Sequence, residues 1–192
     1  MGREFELKYT ATPEIHQAIL DTYGQFQRFQ METTYFDTPD GAFSARKMTL
    51  RIRKENDLTV CTLKVPLPGG AKGEWECAAE NMQTGLAQLV SKGAPAEVAS
   101  LAKPGLVPVC GARFTRLATI LPTADGTAEL ALDRGILLGG GREMPLWELE
   151  VELKSGSDEA TIALASQLAA TYGLSAEPQS KFRRALGLAK GE

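Results

Sequence analysis

At 192 residues, with 43% hydrophobic and 23% charged side chains, the chain is long enough for one domain with a sizeable core. Its net charge of −3 argues against binding nucleic acid or membranes by bulk charge, though not against a local basic cavity. Three cysteines without a CxxC pair, and a single histidine, argue against a disulfide framework, a histidine zinc site or a Ser-His-Asp triad, and point to a reducing, cytoplasmic setting.

The opening stretch MGREFELKY lacks the apolar segment of a signal peptide, and no apolar run reaches membrane-spanning length. Residues 3–9 alternate with period two and predict a strand. Thr12-Pro13-Glu14 then supplies an N-cap and a proline in the first turn of a helix that contains His16 and stops near Gly24. Its apolar stripe is Ile15, Ala18, Ile19 and Tyr23. Strands are predicted at 31–37, 48–54, 59–65 and 73–79, separated by the turn signals Pro39-Asp40-Gly41, Asn56-Asp57 and Pro68-Gly69-Gly70. A helical region at 84–102 is broken near Gly93-Ala94-Pro95. Residues 113–121, 127–133 and 146–154 complete eight predicted strands, with turns at Asp125-Gly126 and Gly139-Gly140-Gly141. A helix follows over 157–173, with Ile162, Ala165, Leu168 and Ala169 at helical spacing, and a short one after Ser180. With no internal repeat or linker, residues 1–192 read as a single domain.

The polar faces of these strands are nearly pure charge. Glu4, Glu6 and Lys8 oppose Phe5, Leu7 and Tyr9; Arg51 and Arg53 share a face, as do Thr62 and Lys64. Glu74 and Glu76 oppose Trp75 and Cys77, while Glu148, Glu150 and Glu152 continue into Lys154. A solvated face laced with cross-strand ion pairs, each worth about 0.2–1 kcal/mol, accounts for any single strand. It gives no reason for Glu-x-Glu in three strands beside Arg-x-Arg in a fourth. If the sheet closes into a barrel with helices packed outside, every charged face points into one lumen. Charges gathered there need water, metal or a charged ligand to complete them. A polyanion held by Arg and Lys, with Mg²⁺ bridging it to carboxylates, meets that need. Trp75, Trp147 and the cysteines Cys61, Cys77 and Cys110 read as core.

The charged segments fall in a fixed order. Glu4-Phe5-Glu6-Leu7-Lys8 is followed by Tyr35-Phe36-Asp37-Thr38-Pro39-Asp40, Leu50-Arg51-Ile52-Arg53, Thr62-Leu63-Lys64 and Glu74. Then come Arg113-Phe114-Thr115-Arg116, Glu129-Leu130-Ala131-Leu132-Asp133, Glu148-Leu149-Glu150-Val151-Glu152-Leu153 and Ser180-Lys181-Phe182-Arg183-Arg184. One Glu-x-Glu-x-Lys arises by chance in many chains. The ordered series, over nearly the whole chain, resembles the CYTH superfamily of triphosphate tunnel metalloenzymes, and most closely the bacterial inorganic triphosphatases.

The resemblance implies an α+β fold built on an eight-stranded antiparallel closed β-barrel that binds a triphosphate and one or two divalent metals, Mg²⁺ first and Mn²⁺ as the alternative. By position it implies Glu4, Glu6, Glu148, Glu150 and Glu152 as the metal face. Lys8, Arg51, Arg53, Lys64, Arg116, Lys181 and Arg184 correspond to the phosphate-binding set. Glu74, Glu129, Asp133 and Lys64 are the catalytic candidates; the carboxylates among them serve a second metal, water positioning or pairing of basic residues, and which one handles water stays open. The implied reaction is metal-assisted hydrolysis of a triphosphate, inorganic triphosphate foremost, to diphosphate and phosphate. Thiamine triphosphatase and class IV adenylyl cyclase are competing activities. A non-catalytic polyphosphate- or nucleotide-binding module is the alternative of another class. The acidic pI of about 5.4 and the lack of a basic stripe argue against long nucleic acid as a partner, and oligomeric state is not legible in the sequence.

Overall fold

The computed structural model describes residues 2–68 and 71–192, so Gly69-Gly70 of the expected turn lies outside the described residues. Its first half runs β1 (Gly2–Glu4), β2 (Glu6–Thr10), α1 (Pro13–Tyr23), β3 (Gln27–Asp37), α2 (Ala42–Ala45), β4 (Thr49–Glu55), β5 (Leu58–Pro66) and β6 (Lys72–Ala78). The second half runs α3 (Met82–Ser91), α4 (Glu97–Leu101), β7 (Val107–Pro122), β8 (Thr127–Gly139), β9 (Arg142–Ser155), α5 (Asp158–Tyr172), β10 (Ser175–Ala176) and α6 (Lys181–Lys190).

The strands form one antiparallel sheet in the order β1-β6-β5-β4-β3-β7-β8-β9-β2-β10. Its two ends meet in a single stretch of chain. Residues 2–4 pair with β6 and residues 6–10 pair with β9, with Phe5 between them. The α+β antiparallel class is as expected, but the strand count differs. The expected first strand is split at Phe5, where it changes partner, and the two-residue β10 adds to the edge beyond β2. The ladder therefore passes around the barrel through two successive short segments rather than one continuous closing strand.

The outer face buries the apolar halves of the strands. Leu130, Leu132, Leu149, Val151 and Tyr9 pack under α1 and α5 with Ile19, Ala165 and Leu168. Leu50, Cys61, Leu63, Trp75 and Cys77 pack with Phe43 of α2, Leu89 of α3 and Val98 of α4. The caps anticipated for α1, α5 and α6 form: Thr12, Ser157 and Ser180 each accept a backbone N–H with their side chains. The 84–102 region starts earlier, because the Asn81 side chain caps α3 by accepting from Thr84 N.

One helix departs from the expectation of helices packed outside. Phe182 and Ala185 of α6 pack with Met31, Tyr35, Ala112, Phe114, Leu137 and Leu146, which share the inward face of their strands with the charged rows. α6 thus covers the inner face where β7, β8 and β9 extend past the charged section. The contact is close enough to require Gly139: a Cβ there would lie 2.3 Å from the Ala185 carbonyl oxygen. Arg142 Nη1 donates to Leu188 O, fastening the far end of the helix to the β8–β9 turn.

Candidate functional site

Strand register alone places the charged residues together, because directly paired residues point to the same side of a sheet. From Glu6 the ladder runs to Glu152 and Glu129, from Lys8 to Glu150, and from Glu148 to Asp133 and then Arg116. Arg116 leads to Phe29 on β3; further along that strand Thr33 pairs Arg53 and Tyr35 pairs Arg51. Arg51 pairs Thr62, which pairs Glu76; Lys64 pairs Glu74; and Lys72 pairs Glu4. The ring returns to where it began with every charged row facing inward.

These side chains surround a cavity of about 640 Å³. Of the expected site residues, Glu4, Glu6, Lys8, Arg51, Arg53, Lys64, Glu74, Arg116, Glu129, Glu150, Glu152 and Lys181 line it. Asp133, Glu148 and Arg184 are not among its lining residues; Asp133 and Glu148 are fully buried behind them. Lys72, Lys154, Glu76 and Glu55 also line the cavity. Lys154 and Glu76 were visible as continuations of charged rows, and Lys72 continues the Glu74–Glu76 row one step before the predicted start of that strand at residue 73.

The carboxylates gather on β2, β8 and β9, and the wall behind them is a closed network. Arg116 donates from Nε and Nη2 to the two oxygens of Asp133 at 2.8 and 2.7 Å, and also from Nη2 to Glu150. The Lys181 ammonium touches Asp133 at 2.8 Å, Glu150 at 2.7 Å, and Glu148. Arg184 adds a second cation on Glu148. Oxygens of Asp133, Glu148 and Glu150 lie within 4.8 Å of one another, a spacing suited to a metal, but the Lys181 ammonium already binds all three. Burial pushes the Glu148 carboxyl up to about 7, with Glu150 beside it adding to the effect. Glu150 is buried too, but Lys181 and Arg116 hold it well below the usual carboxylate range.

The remaining carboxylates are balanced mainly by lysines. Glu4 pairs with Lys64 through Oε1, yet its Oε2 is buried without a hydrogen-bond partner, with Lys72 Nζ 3.6 Å away. Burial and Glu150 would raise the Glu6 carboxyl, but Lys64, Lys72 and Lys8 carry it below its usual value. Burial raises Glu152 despite Lys154, with Glu129 and Glu4 adding to it. An oxygen-only donor set with an unsatisfied buried oxygen suits a hard divalent cation such as Mg²⁺.

Opposite lies an arc of guanidiniums only loosely paired with carboxylates. Arg51 is buried, its nearest carboxylates are Glu76 at 3.9 Å and Glu74 at 4.0 Å, and its Nε has no hydrogen-bond partner. Arg53 has Thr33 Oγ1 at 3.2 Å and Glu55 at 3.4 Å; burial and the neighbouring Arg51 and Arg116 push its pKa down. Burial would lower the Arg51 pKa, but the neighbouring Tyr35, Glu74, Glu4 and Glu76 outweigh it and raise the pKa, so Arg53 is the guanidinium that an entering anion would stabilise most.

Asp37 of the charged series and the single histidine serve structure instead. Asp37 accepts from the backbone N–H groups of Thr38, Phe43 and Ser44, so it builds the turn and α2 beside the cavity rim. His16 sits buried on α1 with Nε2 3.3 Å from Glu148 O and its ring edge-on to Trp147, outside the lumen. Trp75 is buried in the outer core as expected, whereas Trp147 is only half-buried there. The cysteines are all buried and free.

Comparison with known proteins follows the same line. A family model described as the CYTH domain matches residues 2–186. An inorganic triphosphatase of Haemophilus influenzae is 28% identical over 170 residues, covering 82% of this chain and 47% of that protein. The chain therefore spans about half the length of that curated relative. The PH1819 protein of Pyrococcus horikoshii OT3 superposes with a TM-score of 0.67 at 23% identity, over 96% of this chain and 99% of that one. HpAC1 of Hippeastrum, named an adenylyl cyclase and described as having a dominant triphosphatase activity, superposes with a TM-score of 0.60 at 21% identity, over 100% and 96%. Both structures share the fold.

Proposed function

The chain belongs to the CYTH-domain family, and from that premise we propose that it is a divalent-metal-dependent triphosphatase acting on a small triphosphate, inorganic triphosphate foremost. The observation that carries this reading is the pair of buried guanidiniums of Arg51, whose Nε has no hydrogen-bond partner, and Arg53, whose pKa burial and neighbouring cations depress, facing a carboxylate arc across one cavity. A ligand that satisfies both walls must be a polyanion carrying a cation.

In this reading Arg51, Arg53 and Lys8 grip the phosphate oxygens, Arg by its planar fork and Lys as a mobile point charge. Arg116 and Lys181 are already committed to carboxylates, so they shape the field from behind rather than bind by themselves. Glu4, Glu6 and Glu152 would hold the metal, with Glu150 adjoining. When bound, Mg²⁺ supplies charge shielding on the phosphate oxygens and acidifies a coordinated water. Glu74 and Glu129 are the remaining expected lumen carboxylates able to orient the attacking water. The fixed cations stabilise charge growing on the diphosphate leaving group.

The test is phosphate release from inorganic triphosphate, thiamine triphosphate, ATP and longer polyphosphate with Mg²⁺ and with Mn²⁺, scoring cyclic nucleotide in parallel. Inorganic triphosphate is expected to turn over fastest. Glu4→Gln and Glu6→Gln should each abolish metal-dependent release while the protein stays folded. Near-normal turnover in both would sink the metal assignment, and binding of triphosphate without release would leave a non-catalytic module.

A further inference from the structure

The acidic residues of the cavity are balanced in two different ways. Around Asp133, Glu148 and Glu150 the neutralising side chains are locked in: Lys181 is 6% exposed, Arg116 11% and Arg184 14%. The Glu4–Glu6 and Glu129–Glu152 pairs carry, beside the enclosed Lys64 on Glu4 and Lys8 on Glu6, one lysine each that water can reach. Lys72, 31% exposed, sits 3.2 Å from Glu6 and 3.6 Å from Glu4. Lys154, 37% exposed, sits 3.0 Å from Glu152 and 3.8 Å from Glu129. Each ammonium bridges a pair of carboxylates that face the same cavity as Arg51 and Arg53.

Resting on the metal-dependent reading above, we propose that Lys72 is a displaceable resident cation of the Glu4–Glu6 pair, and that its transfer from these carboxylates to the incoming polyphosphate couples anion binding to metal binding. A divalent ion arriving alone has to evict the ammonium into water, against two ion pairs. With a triphosphate present the ammonium would gain phosphate oxygens instead, freeing Glu4 Oε2 and part of Glu6 for the metal while Lys64 stays on Glu4 and Lys8 on Glu6. Lysine suits this exchange because its charge rides on a flexible four-carbon stem. Lys72 also starts from a cross-strand position directly opposite Glu4, so its backbone need not move. Linkage requires the coupling to be reciprocal: the metal must raise triphosphate affinity by the same factor. Lys181 cannot play this part, since its ammonium is enclosed by three carboxylates at the inner wall.

The experiment is calorimetric titration of Mn²⁺ into the protein, with and without the non-hydrolysable imidotriphosphate, for wild type, Lys72→Met, Lys72→Gln and Lys72→Arg. Unfolding midpoints establish that each variant is folded. Removing the ammonium should tighten Mn²⁺ binding by the protein alone about tenfold, the scale of two partly exposed ion pairs. It should shrink the enhancement by imidotriphosphate by a similar factor. Lys72→Arg keeps the charge and should keep most of the enhancement. Unchanged Mn²⁺ affinity and unchanged enhancement in both neutral variants would overturn the proposal, even if the wild type hydrolyses triphosphate normally. A wild type that neither binds Mn²⁺ nor releases phosphate would overturn this proposal and the functional reading together.

Discussion

Replacing Lys181 by Met tests the inner network most directly. Met fills much of the same buried stem, so the change removes a charge rather than volume. Three carboxylates, those of Asp133, Glu148 and Glu150, then share only Arg116 and Arg184. Breaking a buried ion pair by removing one partner costs about 3–5 kcal/mol, a large part of a typical domain stability of about 5–15 kcal/mol. Urea unfolding in EDTA at neutral pH should show a midpoint lowered accordingly. The deficit should shrink in acid, as a proton takes the place of the lost ammonium. Because the three oxygens lie within 4.8 Å of one another, the variant should also gain a stabilisation by Mn²⁺ larger than that of the wild type. A loss below about 1 kcal/mol in EDTA would refute the reasoning, since the carboxylates would then be satisfied without Lys181.

Three other outcomes are expected. Glu148 holds its proton up to about pH 7 in the folded protein against an ordinary value of 4.5. The folded state therefore binds more protons between those values, and metal-free stability should fall as pH rises through that window, by at most about 3 kcal/mol. Glu150 has the opposite sign, its contribution lost as pH falls below the usual carboxylate range. Glu148→Gln should flatten the 4.5-to-7 decline in a denaturation series across pH. Asp37→Ala leaves three backbone N–H groups without their carboxylate and should cost about 3 kcal/mol, read by the shift in thermal midpoint at matched pH. Arg53→Met relieves repulsion with Arg51 and Arg116, so stability should stay within about 1 kcal/mol of wild type. The KM for triphosphate should nonetheless rise about tenfold or more, a split that steady-state kinetics would expose.

The lumen was legible because its chemistry alternates with the strand period: a charge at every second residue of β2, β4, β6 and β9 can face only one way. The outward extensions of β7, β8 and β9 were not, and for a physical reason. Beyond the charged section their inner face turns apolar, with Cys110, Leu137 and Leu146 under α6, while the outer face mixes Arg113, Arg134 and Glu143 with Ile136 and Leu138, so the pattern of charge inside and apolar outside breaks down. The same burial hides the position of α6. Its first residues carry the Ser-Lys-x-x-Arg pattern, but nothing in a short amphipathic helix says whether it covers the inside or the outside of a barrel. Among the site residues, type and row were readable, whereas the division between committed cations such as Arg116 and unsatisfied ones such as Arg51 depends on distances across strands far apart in sequence. Lys72 shows the limit most plainly, since its meaning comes from Glu4 on the facing strand.

The split at Phe5 carries a consequence for how the molecule is made. β1 finds its partner in β6 and β2 finds its own in β9, so this early stretch of sequence cannot complete its pairing until nearly all of the chain has been translated. Pairings of such long sequence separation are slow to form and leave strand edges bare in the interim. Glu4 can pair once β6 has formed, but Glu6 must wait, exposed on an unpaired segment, while the hairpins β4–β5 and β7–β8 assemble locally. The charges that later face the cavity also keep that waiting segment soluble and poorly suited to pairing with a neighbouring nascent chain.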